Sequence, residues 1–400
     1  MTEQDKSFQA DAGLEYALDL LRHPPSDALA LPTALAEQGI GEQATLQLLA
    51  PYVLGQASYL DSAAACAHMD PPTPWITWAT SLWNARLNQN LLHPATAPFA
   101  RQAEEKVIDW LAPVFGMHGG HMCSGSTLAN LTALWAARDS KQVDKIIAST
   151  AAHISIAKAA RILGLPYKQI ATNPDGQIDC AQLGNISNAC LVLTAGTTAT
   201  GVIDSLALAG QAKWTHIDAA WAGPLRLSAK HADLLAGIER ADSVAVSAHK
   251  WLFQPKDSAL IMFQQPELAN PAISFGGGYL AAPNIGVQGS RGAAAISLLA
   301  TLMAWGKKGM AARIDQAMSM ATILAEALSK EDKLSVWAMP ITGVTVFRPL
   351  HISTQQLYQR LPEGIVSTCM LDNQQWLRSV AANPLADMET IIAAIRGAIK

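Results

Sequence analysis

The sequence predicts an α/β protein with a large, mainly parallel sheet, followed by a small C-terminal α+β domain. Two observations carry that expectation. Between residues 56 and 308, short β-rich runs alternate with helix-length stretches, and the runs are almost continuously apolar, as strands buried on both faces are. After Gly309 that alternation gives way to a long amphipathic helix and a few isolated strand candidates.

The bulk numbers set the limits. The chain has 400 residues, of which 50% are hydrophobic and 15% charged, with a net charge of −4. That is ample for a sizeable core and favours more than one core unit. Mild acidity without any Lys/Arg run argues against a nucleic-acid or anionic-membrane partner held by charge. The N-terminus, MTEQDKSFQADAG, has no apolar core and no cleavage signal. The longest apolar stretch, Ala293–Trp305, is too short to cross a bilayer and reads as a buried helix. Five scattered cysteines (Cys66, Cys123, Cys180, Cys190, Cys369) form no C-x-x-C pair. The histidines show no metal spacing, so neither a disulfide framework nor a zinc site is expected, and a cytoplasmic location fits.

Residues 1–55 read as an arm of two short helices, too poor in apolar surface to fold as a domain, that packs on a partner subunit or on the main body. From 56 to 308, helices are expected at 75–91, 99–112, 126–138 and 153–163. Strands are expected at Lys145–Ser149, Cys190–Thr194, Trp214–Asp218, Ser243–Ser247 and Ala259–Phe263. In the last segment, 309–400, a helix is expected at 310–329, strands at Gly343–Phe347 and Trp376–Ala382, and helices near 353–361 and 385–399.

Six segments carry candidate chemistry. In SVAVSAHKWLF a strand ends at Ser247 and Lys250 follows beside His249, where open α/β sheets place ligands. An apolar setting there lowers an amine's pKa, as a Schiff-base lysine requires; taken alone, Lys250 reads equally well as a loop lysine. In WTHIDAAWAG, Asp218 ends a buried strand, where its carboxylate suits a pyridine nitrogen, and Ala220 is small enough for a ring to lie flat. The bland alternative is an Asp capping a turn. In HMCSGSTLANLTAL a Gly-containing turn opens a helix, and its free N–H groups with Ser126 and Thr127 suit a phosphate; a plain N-cap is the alternative. His153 heads the next helix, where a lone imidazole is more often structural. LTAGTTATGVID places Thr197 and Thr198 in a turn, either as ring contacts or as a bare β-turn. QGSRG offers Gly289 and Ser290 to a phosphate and Arg291 to a carboxylate, or else a loop arginine that caps a carbonyl.

The series S-G-S-T-L-A-N, His153, A-G-T-T-A-T-G, H-I-D-A-A-W-A-G, S-A-H-K-W and G-S-R-G resembles the group II pyridoxal-phosphate-dependent decarboxylases, chiefly over 60–310. That family includes aromatic-amino-acid, glutamate, 2,4-diaminobutyrate and archaeal tyrosine/aspartate decarboxylases. The resemblance implies the aspartate-aminotransferase fold, fold type I, in an obligate homodimer with sites at the interface. It implies pyridoxal 5'-phosphate bound by Lys250 as a Schiff base and paired with Asp218, with His153 stacked on the ring. Ser126, Thr127 and Ser247 would contact the phosphate with His249 close by, and Thr198 and Ala220 would flank the ring. The segments HMDPP (68–72) and LNQNLLHPATAP (87–98) also resemble bacterial members, in which this region lines the substrate pocket, so His68 and Asn88 join Arg291 as substrate candidates.

Three departures stand out. Leu128 replaces a usual Glu. The stretch from Lys250 to Arg291 is short and leaves only Tyr279 as a tyrosine to protonate the product carbon. The G-S-R-G ending is also similar to sphingosine-phosphate lyases. The implied activity is decarboxylation of an L-amino acid, with the proton returned by His153, Lys250 or Tyr279. A carbon–carbon lyase, a decarboxylation-dependent oxidase and a non-catalytic dimeric scaffold are the rivals. Trp75, Trp78 and Trp83 suit an aromatic substrate or a helix core, while a polar substrate stays open.

Overall fold

The computed structural model describes residues 12–278 and 280–400. Two compact units, Met1–Tyr59 and Leu60–Lys400, divide the chain. In the first, helices Ala12–Arg22 and Glu42–Val53 flank an extended stretch, and Tyr52 Oη donates to Leu29 O at 2.5 Å.

The second unit holds a seven-stranded sheet. Its strands are β1 (Gly119–Cys123), β2 (Lys145–Ser149), β3 (Tyr167–Ile170), β4 (Ala189–Thr194), β5 (Trp214–Asp218), β6 (Ser243–Ser247) and β7 (Ala259–Phe263), in the order β1-β7-β6-β5-β4-β2-β3. The block from β6 to β3 is parallel, and β7 runs antiparallel to both β6 and β1. Every residue of β4 to β7 is buried, so both faces are covered by helices. The helix Ser126–Lys141 covers one face with Ala129, Ala133, Ala136 and Ala137, whose small side chains allow close approach. The carboxyl ends of β1, β4, β5 and β6 all open onto one edge of the sheet, because the antiparallel β7 returns the chain between β6 and β1.

β8 (Ser274–Phe275) and β9 (Asn284–Ile285) pair antiparallel as a two-stranded sheet. A four-stranded sheet, β10 (Leu334–Val336), β11 (Val344–Pro349), β13 (Gln374–Val380) and β12 (Ser367–Leu371), is antiparallel throughout. The helices Ala294–Leu328, Thr354–Arg360 and Met388–Ala398 accompany it, and Leu324, Leu328, Phe347, Leu357, Leu377 and Ile395 share one apolar cluster.

Several expectations need correction. The apolar stretch at 293–305 and the expected helix at 310–329 are both helical within Ala294–Leu328, and they meet at Gly306, whose non-helical backbone (φ 59°, ψ −176°), a conformation open to glycine, kinks the run between them. The helix expected over 75–91 ends at Leu87, because Asn88 turns left-handed (φ 44°) and caps it. Strands β1, β3, β8, β9, β10 and β12 were not expected, β8 and β9 being only 2 residues each. GGHMC begins with two glycines, YKQI is half polar, β10 is only 3 residues long, and STCML alternates between partly buried and exposed residues, so none presents a long apolar run.

Candidate active site

The carboxyl ends of the strands enclose a cavity of about 430 Å³ whose lining includes Ser126, Thr127, His153, Thr198, Asp218, Ala220, His249 and Lys250, together with Ser124, Leu128, Thr194, Lys256 and Asp257. Eight residues singled out from scattered motifs thus meet at one place.

Lys250 sits in a tight turn after β6, its N–H donating to Ser247 O at 3.4 Å and its C=O accepting from Phe253 N at 2.8 Å. Burial lowers its pKa first; Asp218 and Asp70 oppose that shift, while Lys256 and Arg378 add to it. The amine is therefore a better nucleophile near neutrality than a surface lysine. His249 Nδ1 accepts from Ser258 N at 3.2 Å, and burial holds this imidazole down at about 4. Asp218 is 4% exposed and accepts from Ala220 N at 3.2 Å through Oδ1 and from Asn130 Nδ2 at 2.9 Å through Oδ2. Ser126 Oγ and Ser247 Oγ lie 2.7 Å apart, tying the start of the helix Ser126–Lys141 to the end of β6. Among the described residues that helix has no side-chain cap, so its first N–H groups are left for an anion. His153 caps the helix Ile154–Leu163, its Nδ1 accepting from Ser155 N at 3.2 Å, and burial lowers its pKa.

Other expected residues lie elsewhere. Gly289 and Arg291 line a separate cavity of about 150 Å³, and Ser290 Oγ accepts from Asn90 Nδ2 at 3.1 Å. The guanidinium of Arg291 is forked onto Glu104, with Nη2 at 2.6 Å from Oε1 and Nη1 bonded to Oε2. His68 is exposed, Asn88 is the helix cap, and neither lines the central cavity. Tyr279 lies outside the described residues.

Three features were missed from the sequence. Asn130, Ser155 and His216 are buried beneath Asp218 and His153. Their positions were legible in principle: Asn130 lies one helical turn past Ser126, and His216 shares a strand face with Asp218. Arg378, 9% exposed in β13, donates to Thr198 O at 2.5 Å, beside the cavity. Lys256, bonded to Asp70, stands at the cavity rim.

With that geometry in place, the comparisons are consistent. Residues 42–349 match the family model described as the pyridoxal-dependent decarboxylase conserved domain. L-2,4-diaminobutyrate decarboxylase of Rhizobium meliloti (strain 1021) is 31% identical over 353 residues, 78% of this chain and 70% of that protein. Aspartate 1-decarboxylase of Aliivibrio fischeri is 28% identical over 358 residues, 74% and 65% of the two chains. The crystal structure of mouse CSAD superposes with a TM-score of 0.85 at 22% identity, covering 97% of this chain and 98% of that one, which shows the shared fold. The chain belongs to the pyridoxal-dependent decarboxylases: it is a pyridoxal-phosphate carboxy-lyase that acts on an amino acid.

Proposed function

We propose that Lys250 binds pyridoxal 5'-phosphate covalently, that Asp218 pairs with its ring nitrogen, and that the substrate is an amino acid with a short polar side chain. The single observation that carries this reading is the shared cavity of Lys250 and Asp218, in which burial lowers the amine's pKa and a carboxylate faces it. The donor set fits the cofactor. Ser126, Thr127 and Ser247, with the helix N–H groups and His249 nearby, would hold a phosphate; Thr198 and Ala220 would flank the ring, and His153 would stack on it. The cofactor supplies an electron sink for the pair left when carbon dioxide departs. The protein positions the substrate, shields the site and returns a proton, for which His153, Lys250 and Tyr279 are the candidates.

Two points support a polar substrate. No Phe, Tyr or Trp is among the described residues of the cavity wall, whereas Lys256 and Asp257 are. Two similar proteins are named for aspartate and 2,4-diaminobutyrate. Arg291 is occupied by Glu104, so we assign the substrate carboxylate to Arg378.

We also propose a homodimer. Trp75, Trp78 and Trp83 on the helix Trp75–Leu87 are 72%, 56% and 60% exposed, an apolar ridge that a second copy would cover. Gly289 and Ser290 would then serve the second copy's phosphate. The five free cysteines fit a cytoplasmic location, and among the described residues no helix is long and apolar enough to cross a membrane.

The test is borohydride reduction of cofactor-saturated protein followed by peptide mapping, together with an amine-release panel of aspartate, 2,4-diaminobutyrate, glutamate and aromatic amino acids. Label on Lys250 and amine from a polar substrate are expected. An unlabelled Lys250 would remove the cofactor assignment; release from aromatic substrates alone would remove the substrate assignment.

A further inference from the structure

Under the floor of the cavity lies a connected set of buried polar groups: Trp214, Ser243, His216, Asn130, Asp218 and Ser155. Each is at most 4% exposed. We infer that Asn130 is a positioning residue whose amide fixes the proton of His153 on Nε2, so that this imidazole presents an N–H donor to the cavity. The inference rests on the reading of His153 and Asp218 as cofactor-facing groups, but it concerns protons that are observable without the cofactor.

Asn130 Nδ2 donates to Asp218 Oδ2 at 2.9 Å, so the NH₂ of that amide faces the carboxylate. The amide oxygen therefore faces His216 Nε2 at 2.9 Å and requires a proton there. Burial holds the His216 pKa down at about 4, so the ring is neutral near pH 7 and carries that one proton. Its Nδ1 is then a lone pair and accepts from the hydroxyl of Ser243, 2.9 Å away. The far end agrees independently. The Trp214 indole only donates, and it donates to Ser243 Oγ at 2.9 Å, which leaves the Ser243 proton for His216.

The other arm of Asn130 leads to the cavity. Its Nδ2 also donates to Ser155 Oγ at 2.9 Å. Ser155 thus accepts from below and has its own proton free for His153 Nδ1, 2.8 Å away. The backbone N–H of Ser155 points at the same Nδ1 from 3.2 Å, so this nitrogen receives two donors and holds no proton. A neutral His153 must carry its proton on Nε2. One side chain, Asn130, therefore orients both the carboxylate and the imidazole, and a change at that position reaches both.

The test is nitrogen NMR of protein labelled with ¹⁵N-histidine, recorded with and without pyridoxal phosphate, with His153 and His216 assigned by single substitution to Gln. The expected result is a protonated Nε2 and an unprotonated Nδ1 at both residues. Asn130→Ala should spread both residues over mixed tautomers. Ser155→Ala, which leaves the bond to Asp218 in place, should disturb His153 and spare His216, and it serves as the reporter if Asn130→Ala does not fold. A protonated Nδ1 at either residue in the unmodified chain overturns the inference. So does an Asn130→Ala protein that folds with both spectra unchanged, or a Ser155→Ala protein in which His153 is unchanged. Borohydride mapping of Lys250 reads the cofactor assignment separately, so the two can fail independently.

Discussion

The indoles of Trp221 and Trp251 pack in a tilted pair with centroids 4.1 Å apart at an interplanar angle of 35°. Each indole N–H reaches the C-terminal segment: Trp221 Nε1 donates to Thr342 O at 2.8 Å and Trp251 Nε1 to Ala381 O at 3.1 Å. One indole follows the Asp218 turn and the other is the residue after Lys250, so the two chemical groups share one support. Gly343 (φ +62°) makes room for it, since a Cβ there would lie 2.6 Å from Trp251 Cζ2. Replacing Trp251 with Ala should cost about 3–5 kcal/mol, the usual loss for a buried tryptophan. Urea unfolding reads that loss, and cofactor retention should fall with it as the Lys250 turn loosens.

Arg291 and Glu104 form the second structural pair. Glu104 is 7% exposed and its carboxylate also accepts from Met122 N at 3.4 Å, so it anchors the loop before the helix Ala294–Leu328 to β1. Removing Glu104 leaves the half-buried guanidinium of Arg291 without this partner. Glu104→Ala should therefore destabilise by roughly 3 kcal/mol. Glu105→Ala, on an exposed neighbour, should stay within about 0.5 kcal/mol of the parent chain. Equal unfolding midpoints for the two variants would show that the fork contributes nothing.

His121 gives the stability a pH dependence. Burial, with Arg291 adding to it, pushes its pKa from the ordinary 6.5 down to about 3. The folded chain keeps this ring neutral while the unfolded chain takes up a proton below about 6.5. Stability is thus unaffected above that value and declines as pH falls from about 6.5 toward about 3. Its Nδ1 has no hydrogen-bond partner among the described residues, so a leucine replaces the ring without stranding a polar group. His121→Leu should make the loss between about pH 7 and pH 5 smaller by about 2 kcal/mol. The quantity to measure is the difference between the two pH values, and an unchanged difference would refute the argument.

The runs KIIAS, WTHID, SVAVS and ALIMF are strands at the residues expected, because a strand buried on both faces writes itself as a continuous apolar run. The residues lining the main cavity were legible for a related reason: they sit at the ends of those strands. What was not legible depends on pairing across distance. Glu104 and Arg291 are 187 positions apart, and no local pattern says that one will occupy the other. Asn130 reads as a polar residue in an alanine-rich helix until the fold brings Asp218, 88 positions away, onto its amide. The tryptophans of the helix Trp75–Leu87 have helical spacing and still do not enter the core of this chain, since spacing defines a face and leaves its covering undefined.

Arg378 carries the last prediction. Its guanidinium is buried, yet each of its bonds goes to a neutral oxygen: Nη1 to Thr198 O at 2.5 Å, Nη2 to Ala67 O at 3.3 Å and Nε to Ser367 Oγ at 3.2 Å. Burial lowers its pKa, with Cys369 and Asp70 opposing. A buried cation held by carbonyls is only partly compensated, and a carboxylate arriving in the adjoining cavity completes the compensation. Lysine keeps the charge but loses the planar fork and the shared carbonyl contacts. Arg378→Lys should therefore lower kcat/KM by about 100-fold, equivalent to about 2.7 kcal/mol, mainly through KM. The absorbance of bound cofactor should be unchanged, because Lys250 and Asp218 remain in place. A variant with parental kcat/KM would assign the substrate carboxylate to another group. One that loses the cofactor band would instead mark Arg378 as a support of the Thr198 turn.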